Sequence, residues 1–337
     1  MNLRRIATLA TYPLEKYGTC MFAVTSRCNA HCKFCSIPNQ SNNGMISVND
    51  VKAALDRLFS LGVRYIQFTG GEPLLYPHLM DAIAHGNRLG MIMTLVTNSS
   101  LLSKTKAQLI AHSGLQGVSI SVDHFDPRVY ESNRGIQGLA TQMQSAVQWL
   151  REEGMPIQAS TTISKLLVKD NGDYEKMVEN NKRLGFDGTY FCYPMINMHS
   201  NYALGGEIVY YSASELSAVI RHIQDLKRKG LPIDNSDETL EDVISFLNGK
   251  PAKYPCVAGY KVFYLDWNLY LYNCMTQGIS IGHILEIDTN QLLFKRIECE
   301  ECVLSCDREP SIYQHGIKSF IPFLALVKDV IRRGVKF

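Results

Sequence analysis

Cys28, Cys32 and Cys35 fall within eight positions of the stretch "SRCNAHCKFCS", and no fourth cysteine follows nearby. Metal sites that only hold a fold usually close with four protein ligands. Three thiolates spaced C-x3-C-x2-C can instead hold three irons of a 4Fe-4S cluster and leave the fourth iron open to a cofactor. A second group, Cys256, Cys274, Cys299, Cys302 and Cys306, gathers towards the other end. Seventeen residues separate Cys256 from Cys274, and Cys299 pairs with Cys302 as C-x2-C. Four such thiolates fill every corner of an auxiliary 4Fe-4S cluster, or equally a tetrahedral zinc site. Of the ten cysteines only Cys20 and Cys192 stand apart. Both sit in apolar stretches, where a free thiol behaves as a small hydrophobe.

A second chemical signal lies in "FTGGEP", residues 68 to 73, where Gly70, Gly71, Glu72 and Pro73 follow an apolar run. Glycines at a strand end let backbone approach a ligand closely, and the bland alternative is a tight turn.

These residues need a scaffold, and the alternation of patterns supplies one. Strand-like runs occur at 20 to 26, 65 to 71, 91 to 98, 117 to 123, 157 to 164 and 189 to 195. Helical patterns lie between them at 47 to 62, 78 to 89, 104 to 113, 138 to 153 and 173 to 184. Strands joined by helices make a parallel sheet with right-handed crossovers. The expected fold class is therefore α/β, a partial (β/α)6 TIM-like barrel whose strand C-termini carry the site. The core is placed at 15–205, with linking helices over 206–250. From about 261 the period switches to two, and a hairpin flanked by Cys256 and Cys274 reads as a cysteine-rich appendage over 251–315. Residues 316–337 mix apolar and basic positions and predict an amphipathic helix, which either docks on the barrel or lies in a membrane interface.

Composition narrows the functional classes. The chain has 337 residues, 46% hydrophobic and 20% charged, with a net charge of +2. It is globular, and its charge is too balanced for a broad nucleic-acid surface. No apolar run reaches the roughly 18 residues of a membrane span. The first residues lack a secretory signal, so the expected compartment is the cytoplasm, where clustered cysteines bind metal.

The C-x3-C-x2-C loop after the first strand, with Phe34 before its last cysteine, resembles the signature of the radical S-adenosylmethionine superfamily, and "GGEP" resembles a second motif of that family. The resemblance implies that Gly70, Gly71, Glu72 and Pro73 contact the amino group of adenosylmethionine. It places Asn98, Ser121 and Asp123 at strand ends around the cofactor, a serine against the ribose, and Arg134 against the methionine carboxylate. It implies reductive cleavage of adenosylmethionine to a 5′-deoxyadenosyl radical that abstracts hydrogen from an unactivated C-H bond. A carrier such as flavodoxin or ferredoxin would supply the electron. The later cysteines resemble a twitch or SPASM appendage, whose auxiliary cluster would accept an electron from the substrate radical. Two departures stand out: the glycine usual before the second cysteine is replaced by Asn268 and Leu269, and five cysteines serve one cluster, leaving the role of Cys306 open. The substrate is expected to be a small molecule, a lipid or isoprenoid, or a peptide. Peptide maturation is one alternative outcome, and epimerisation with Cys192 as hydrogen donor another. The remaining alternative is a non-catalytic iron-sulfur or zinc protein. His31, His124, Tyr190 and Tyr193 are candidate walls of the barrel mouth.

Overall fold

A computed structural model describes residues 18–39, 44–193, 211–275, 278–288 and 302–314. Cys299 and the helix expected over 316–337 lie outside the described residues.

The chain runs β1 (Thr19–Thr25), α1 (Val48–Ser60), β2 (Tyr65–Gly70), α2 (Leu79–Leu89), β3 (Ile92–Thr97), α3 (Lys104–Ser113) and β4 (Gly117–Ser121). It continues through α4 (Pro127–Arg134), α5 (Leu139–Glu152), β5 (Ile157–Thr162), α6 (Gly172–Leu184) and β6 (Gly188–Cys192). Helices α7 (Ala213–Arg228) and α8 (Asp237–Leu247), strands β7 (Val262–Leu265), β8 (Tyr270–Tyr272) and β9 (Ser280–His283), and helix α9 (Ser305–Tyr313) complete it. Local chemistry sets the helix starts. Ser47 accepts from the Asp50 amide, and Ser212 with Glu215 closes a reciprocal capping box, each satisfying an otherwise orphaned donor. In α1 the buried residues Val51, Ala54, Leu55 and Leu58 follow the helical period and form one apolar stripe.

Nine strands form one sheet in the order β6-β5-β4-β3-β2-β1-β7-β8-β9. The first six are parallel. Nothing in the period-two pattern forecasts that β7 joins this sheet: it pairs in parallel with β1, Met21 opposite Tyr264. The hairpin thus extends the main sheet, and β7, β8 and β9 pair antiparallel.

Alternation divides the sheet into two faces. Outward residues such as Phe22, Phe68, Leu95, Ile120 and Ala159 bury against the helices in the main core. Inward positions are polar over much of their width: Gln67 pairs with Thr94, and Ser121, Ser160 and Tyr190 lie across one row. These five remain only partly covered. Cys306 shows the curvature. After burial itself, its thiol is among the groups that raise the pKa of Tyr65 on β2 and of Tyr190 on β6. In a flat sheet those strands would stand about 19 Å apart, at roughly 4.8 Å per strand. The sheet is an open partial barrel, as the alternation of elements predicts.

A second core, built from Tyr174, Phe191, Ile220 and Val243, seats α6, α7 and α8 beside β6. The edge of β6 is covered: the Asn235 side chain accepts from the Phe191 amide at 2.8 Å and donates to the Phe191 carbonyl at 2.9 Å. That pairing hides backbone groups that would otherwise remain open. Among the described residues no helix is long and apolar enough to cross a membrane.

Candidate active site

The cysteine loop leaves the end of β1 and is held from three directions. The Gly71 amide donates to the Thr25 carbonyl at 2.7 Å, and the Glu72 amide to the Arg27 carbonyl at 2.8 Å. From the other side, His31 and Lys33 donate their amides to the carbonyls of Arg134 and Asn133 at 2.9 and 3.2 Å. Phe34 is buried against Leu167 in the loop after β5. What the two motif glycines make room for is this loop: a Cβ on Gly70 would collide with the Thr25 carbonyl, and one on Gly71 with the Arg27 carbonyl. Gly70 also has φ of +123°, which side chains rarely tolerate.

So held, Cys28, Cys32 and Cys35 are each partly exposed and close enough to act on one another electrostatically. Burial raises all three thiols, Cys32 to about 12, and the Arg134 guanidinium partly opposes this. Loading metal onto them therefore displaces protons. Among the described residues no three His, Cys, Asp or Glu side chains converge on a single ion. A cubane, whose irons sit at separate corners, spreads its thiolates more widely than one ion does. Three thiols on one loop, with the buried Ser36 hydroxyl unpartnered beside Cys35, fit three corners of such a cluster.

Glu72 is buried and acts as a strut. Its carboxylate accepts from Thr97 Oγ1 at 2.7 Å, from the Asn98 amide at 2.8 Å and from the Leu74 amide at 3.1 Å. Burial raises its pKa while these donors oppose the shift. Asn98 in turn donates from Nδ2 to Asn29 Oδ1 at 3.1 Å, and Asn29 donates to Ser100 Oγ at 2.8 Å. One polar network thus joins the cysteine loop, the "GGEP" turn and the end of β3. Asn29, Asn133 and Ser160 carry no sequence signal beyond their nearness to motif or strand ends, and their roles appear only in the fold.

Asp123 and Arg134 also come together. Arg134 donates from Nε to Oδ2 at 2.6 Å and from Nη2 to Oδ1 at 2.8 Å, and Asn133 Nδ2 adds a third bond at 2.8 Å. Both partners are buried, and this guanidinium is thereby fixed near the cysteines. Ser121 faces the barrel one residue pair away from Asp123, and its carbonyl accepts from Tyr130 Oη at 2.7 Å. Among the candidate wall residues, Tyr190 faces inward. Tyr193 is buried in the second core, His31 is exposed on the cysteine loop, and His124 accepts from the Asp126 amide at 3.0 Å.

The later cysteines separate. Cys256 and Cys274 pack together with Ala258, and both act on Cys302. Cys306 is not in that group; it packs against the apolar cluster that contains Met21, Ala23, Tyr264 and Trp267, as does Cys35. Cys192 ends β6 on the inner face, its sulfur 3.3 Å from Ser160 Oγ.

The family model described as the radical SAM superfamily matches residues 22–195, the stretch that runs from within β1 through β6 with the cysteine loop and the "GGEP" turn. The chain belongs to the radical SAM superfamily. It is 27% identical over 207 residues to an AdoMet-dependent heme synthase of Oleidesulfovibrio alaskensis, covering 61% of this chain and 52% of that protein. It is 26% identical over 147 residues to a PqqA peptide cyclase of Rhodopseudomonas palustris, covering 43% and 39%. The structure of Streptococcus suis SuiB bound to precursor peptide SuiA matches with a TM-score of 0.65 at 15% identity, over 90% of this chain and 74% of that one. The chain spans about half the length of the curated heme synthase it matches. As a radical SAM enzyme it takes a 4Fe-4S cluster and S-adenosylmethionine, and Cys28, Cys32 and Cys35 are the residues on which the cluster fits.

Proposed function

We propose that this radical SAM enzyme abstracts hydrogen from a C-H bond of a polar, peptide-like substrate held in the open barrel. The observation that carries this is the inner face itself. Gln67, Thr94, Ser121, Ser160 and Thr162 are polar, partly exposed residues of the inner face, with Thr94 Oγ1 paired to Tyr65 Oη at 2.8 Å and Ser160 Oγ 3.3 Å from the Cys192 sulfur. Such a wall offers hydrogen bonds to peptide groups and leaves them unmet against an isoprenoid, which weighs against a lipid substrate. Support also comes from the relatives, two of which bear names or titles that mention a peptide.

Bound on Cys28, Cys32 and Cys35, the cluster with adenosylmethionine supplies a 5′-deoxyadenosyl radical. The chain's own residues do the positioning. Gly70, Gly71, Glu72 and Pro73 present the turn that lies against the loop, and Asn98, Ser121 and Asp123 at or just beyond the strand ends, with Arg134 at the end of α4, would surround the cofactor. The polar wall orients one C-H bond and the apolar Met21, Ala23 and Tyr264 side limits water. Cys256, Cys274 and Cys302, with Cys299, hold an auxiliary 4Fe-4S cluster, and a flavodoxin or ferredoxin delivers electrons. The core, linking helices and auxiliary region divide at 205 and 250 in this reading.

Anaerobic reconstitution should give about eight irons per chain, from two four-iron clusters. Reductant and adenosylmethionine should yield 5′-deoxyadenosine, and replacing Cys28, Cys32 and Cys35 by alanine should abolish it. Polar peptides, and not isoprenoid alcohols, should raise its formation; stimulation by the isoprenoid alone would reverse the substrate assignment.

A further inference from the structure

The cysteine loop reaches the surface through a small apolar cluster of its own. Cys32 and Cys35 pack with the buried Phe34 and Leu167, and the partly covered Val129, Leu166 and Val168 complete the group. One layer of apolar side chains therefore separates two of the three thiols from solvent on this side. Cations border that layer on every segment that builds it. Lys33 precedes Phe34, Arg128 precedes Val129 in α4, and Lys165 and Lys169 bracket residues 166 to 168 in the loop after β5. The acids of the same segments are already engaged. Asp126 accepts from Arg128, Glu131 from the amides of Gly138 and Ala140, and Asp170 from the Gly172 amide, while Lys165 pairs with Glu215 at 2.7 Å. Two of the cations stay uncompensated. Lys33 Nζ meets the Ser132 hydroxyl at 3.2 Å and Lys169 Nζ the Lys165 carbonyl at 3.5 Å, and among the described residues neither has a carboxylate partner. An apolar centre inside a charged rim is the anatomy of a protein interface.

We propose that this face docks an acidic one-electron carrier protein of the flavodoxin or ferredoxin class, with Lys33 and Lys169 on the rim and Phe34 beneath the centre. This rests on the radical reading above and says where its electron enters. The uncompensated cations select a partner of negative charge, and the small apolar centre suits a transient complex that must part after each delivery. Position selects a redox partner. Cys32 and Cys35, two of the thiols on which the cluster fits, form the inner side of the same apolar layer. In the step itself the reduced carrier is oxidised by one electron and the cluster reduced by one; no bond forms or breaks, and no proton must move. Exposed charges act over roughly 10 Å at 0.1 M salt, so the rim steers the approach and loses its hold as salt is added.

The test titrates the full chain, reconstituted anaerobically, with a flavodoxin of negative net charge in its oxidised form, so that no turnover occurs, and reads affinity by calorimetry at low and high salt. Wild-type binding should weaken as salt is added. Lys33→Glu and Lys169→Glu should each weaken it roughly tenfold at low salt, and the gap should narrow at high salt. Lys33→Ala serves if charge reversal beside Cys32 disturbs iron loading. Lys229→Glu alters an exposed lysine near the start of β6, at the far end of the strands, and should leave affinity unchanged. Failure of the wild type to bind, variants that bind as the wild type does, or an equal loss in Lys229→Glu would each overturn the proposal. 5′-Deoxyadenosine formation driven by dithionite in place of the carrier tests the radical reading separately. Product from the wild type together with unaltered variant binding overturns the docking face alone; no product overturns the radical reading, and the carrier's role with it.

Discussion

Asp123 grips Arg134 through two hydrogen bonds, Oδ2 to Nε at 2.6 Å and Oδ1 to Nη2 at 2.8 Å, with both side chains out of water. The arginine's own carbonyl meanwhile holds the His31 amide of the cysteine loop. Breaking one partner of a buried ion pair strands the other charge, at a cost of about 3–5 kcal/mol. Asp123→Asn should lower the unfolding free energy by that order in urea titrations. A change below about 1 kcal/mol would mean that the guanidinium finds water or another partner.

Glu72 ties the "GGEP" turn to the end of β3. In Glu72→Gln one carboxylate oxygen becomes an amide donor facing the Leu74 amide or the Asn98 amide, so a bond is lost and a buried donor is left unmet. The expected loss is about 1–3 kcal/mol. Because Asn98 also anchors Asn29, next to Cys28, the variant should assemble less iron at equal protein concentration. Unchanged stability and iron content would remove the strut from the account.

Gly71→Ala should damage the turn through a collision alone, since Gly71, unlike Gly70, has no positive φ. The new methyl group meets the Arg27 backbone, which has no flexible end to move aside. The loop must shift to accommodate it, and the three thiolates lose their common geometry. Iron content and 5′-deoxyadenosine formation should both fall at least tenfold, or about 1.4 kcal/mol in free energy; normal iron loading would show that the loop docks without this close approach.

Glu309 gives the pH dependence. Burial raises its carboxyl from an ordinary 4.5 to about 7, against the opposing bonds from Ser236 and Thr239 and the charge of Lys227. Below about 4.5 the group is protonated whether the chain is folded or not. Between about 4.5 and 7 the folded state keeps a proton that the unfolded state releases, so stability should fall as pH rises through that window and level off above it. Glu309→Gln copies the protonated form. It should raise the melting temperature relative to wild type at pH 8 and change it little at pH 5. Equal effects at both pH values would rule this carboxyl out as the source.

Much of the site was legible because its signals are local. C-x3-C-x2-C follows the first strand and "FTGGEP" ends the second; the spacing of the first admits a three-thiolate loop, and it was the family resemblance that joined the two motifs in one site. The parallel strands were legible from alternating period, since a helix and a strand bury different residues of a short window. Two helices were not anticipated. Helix α4, "PRVYESNR", is short and mostly polar, and α9 carries Pro310 within it, so neither shows a clean apolar period. The helix starts at Ser47 and Ser212 are set by hydrogen-bonded caps, and a cap depends only on residues three positions away.

By itself the amino-acid sequence determined which groups could carry iron and that they follow the first strand, because spacing within a loop is a property of the local chain. Only the tertiary structure decided which of them share a volume. Asp123 and Arg134 are eleven positions apart and Glu72 and Asn98 twenty-six, while Phe34 and Leu167 belong to segments that meet only when the chain folds. A side chain's face is set by long-range packing and strand register, and no window of sequence contains both of the partners that fix it.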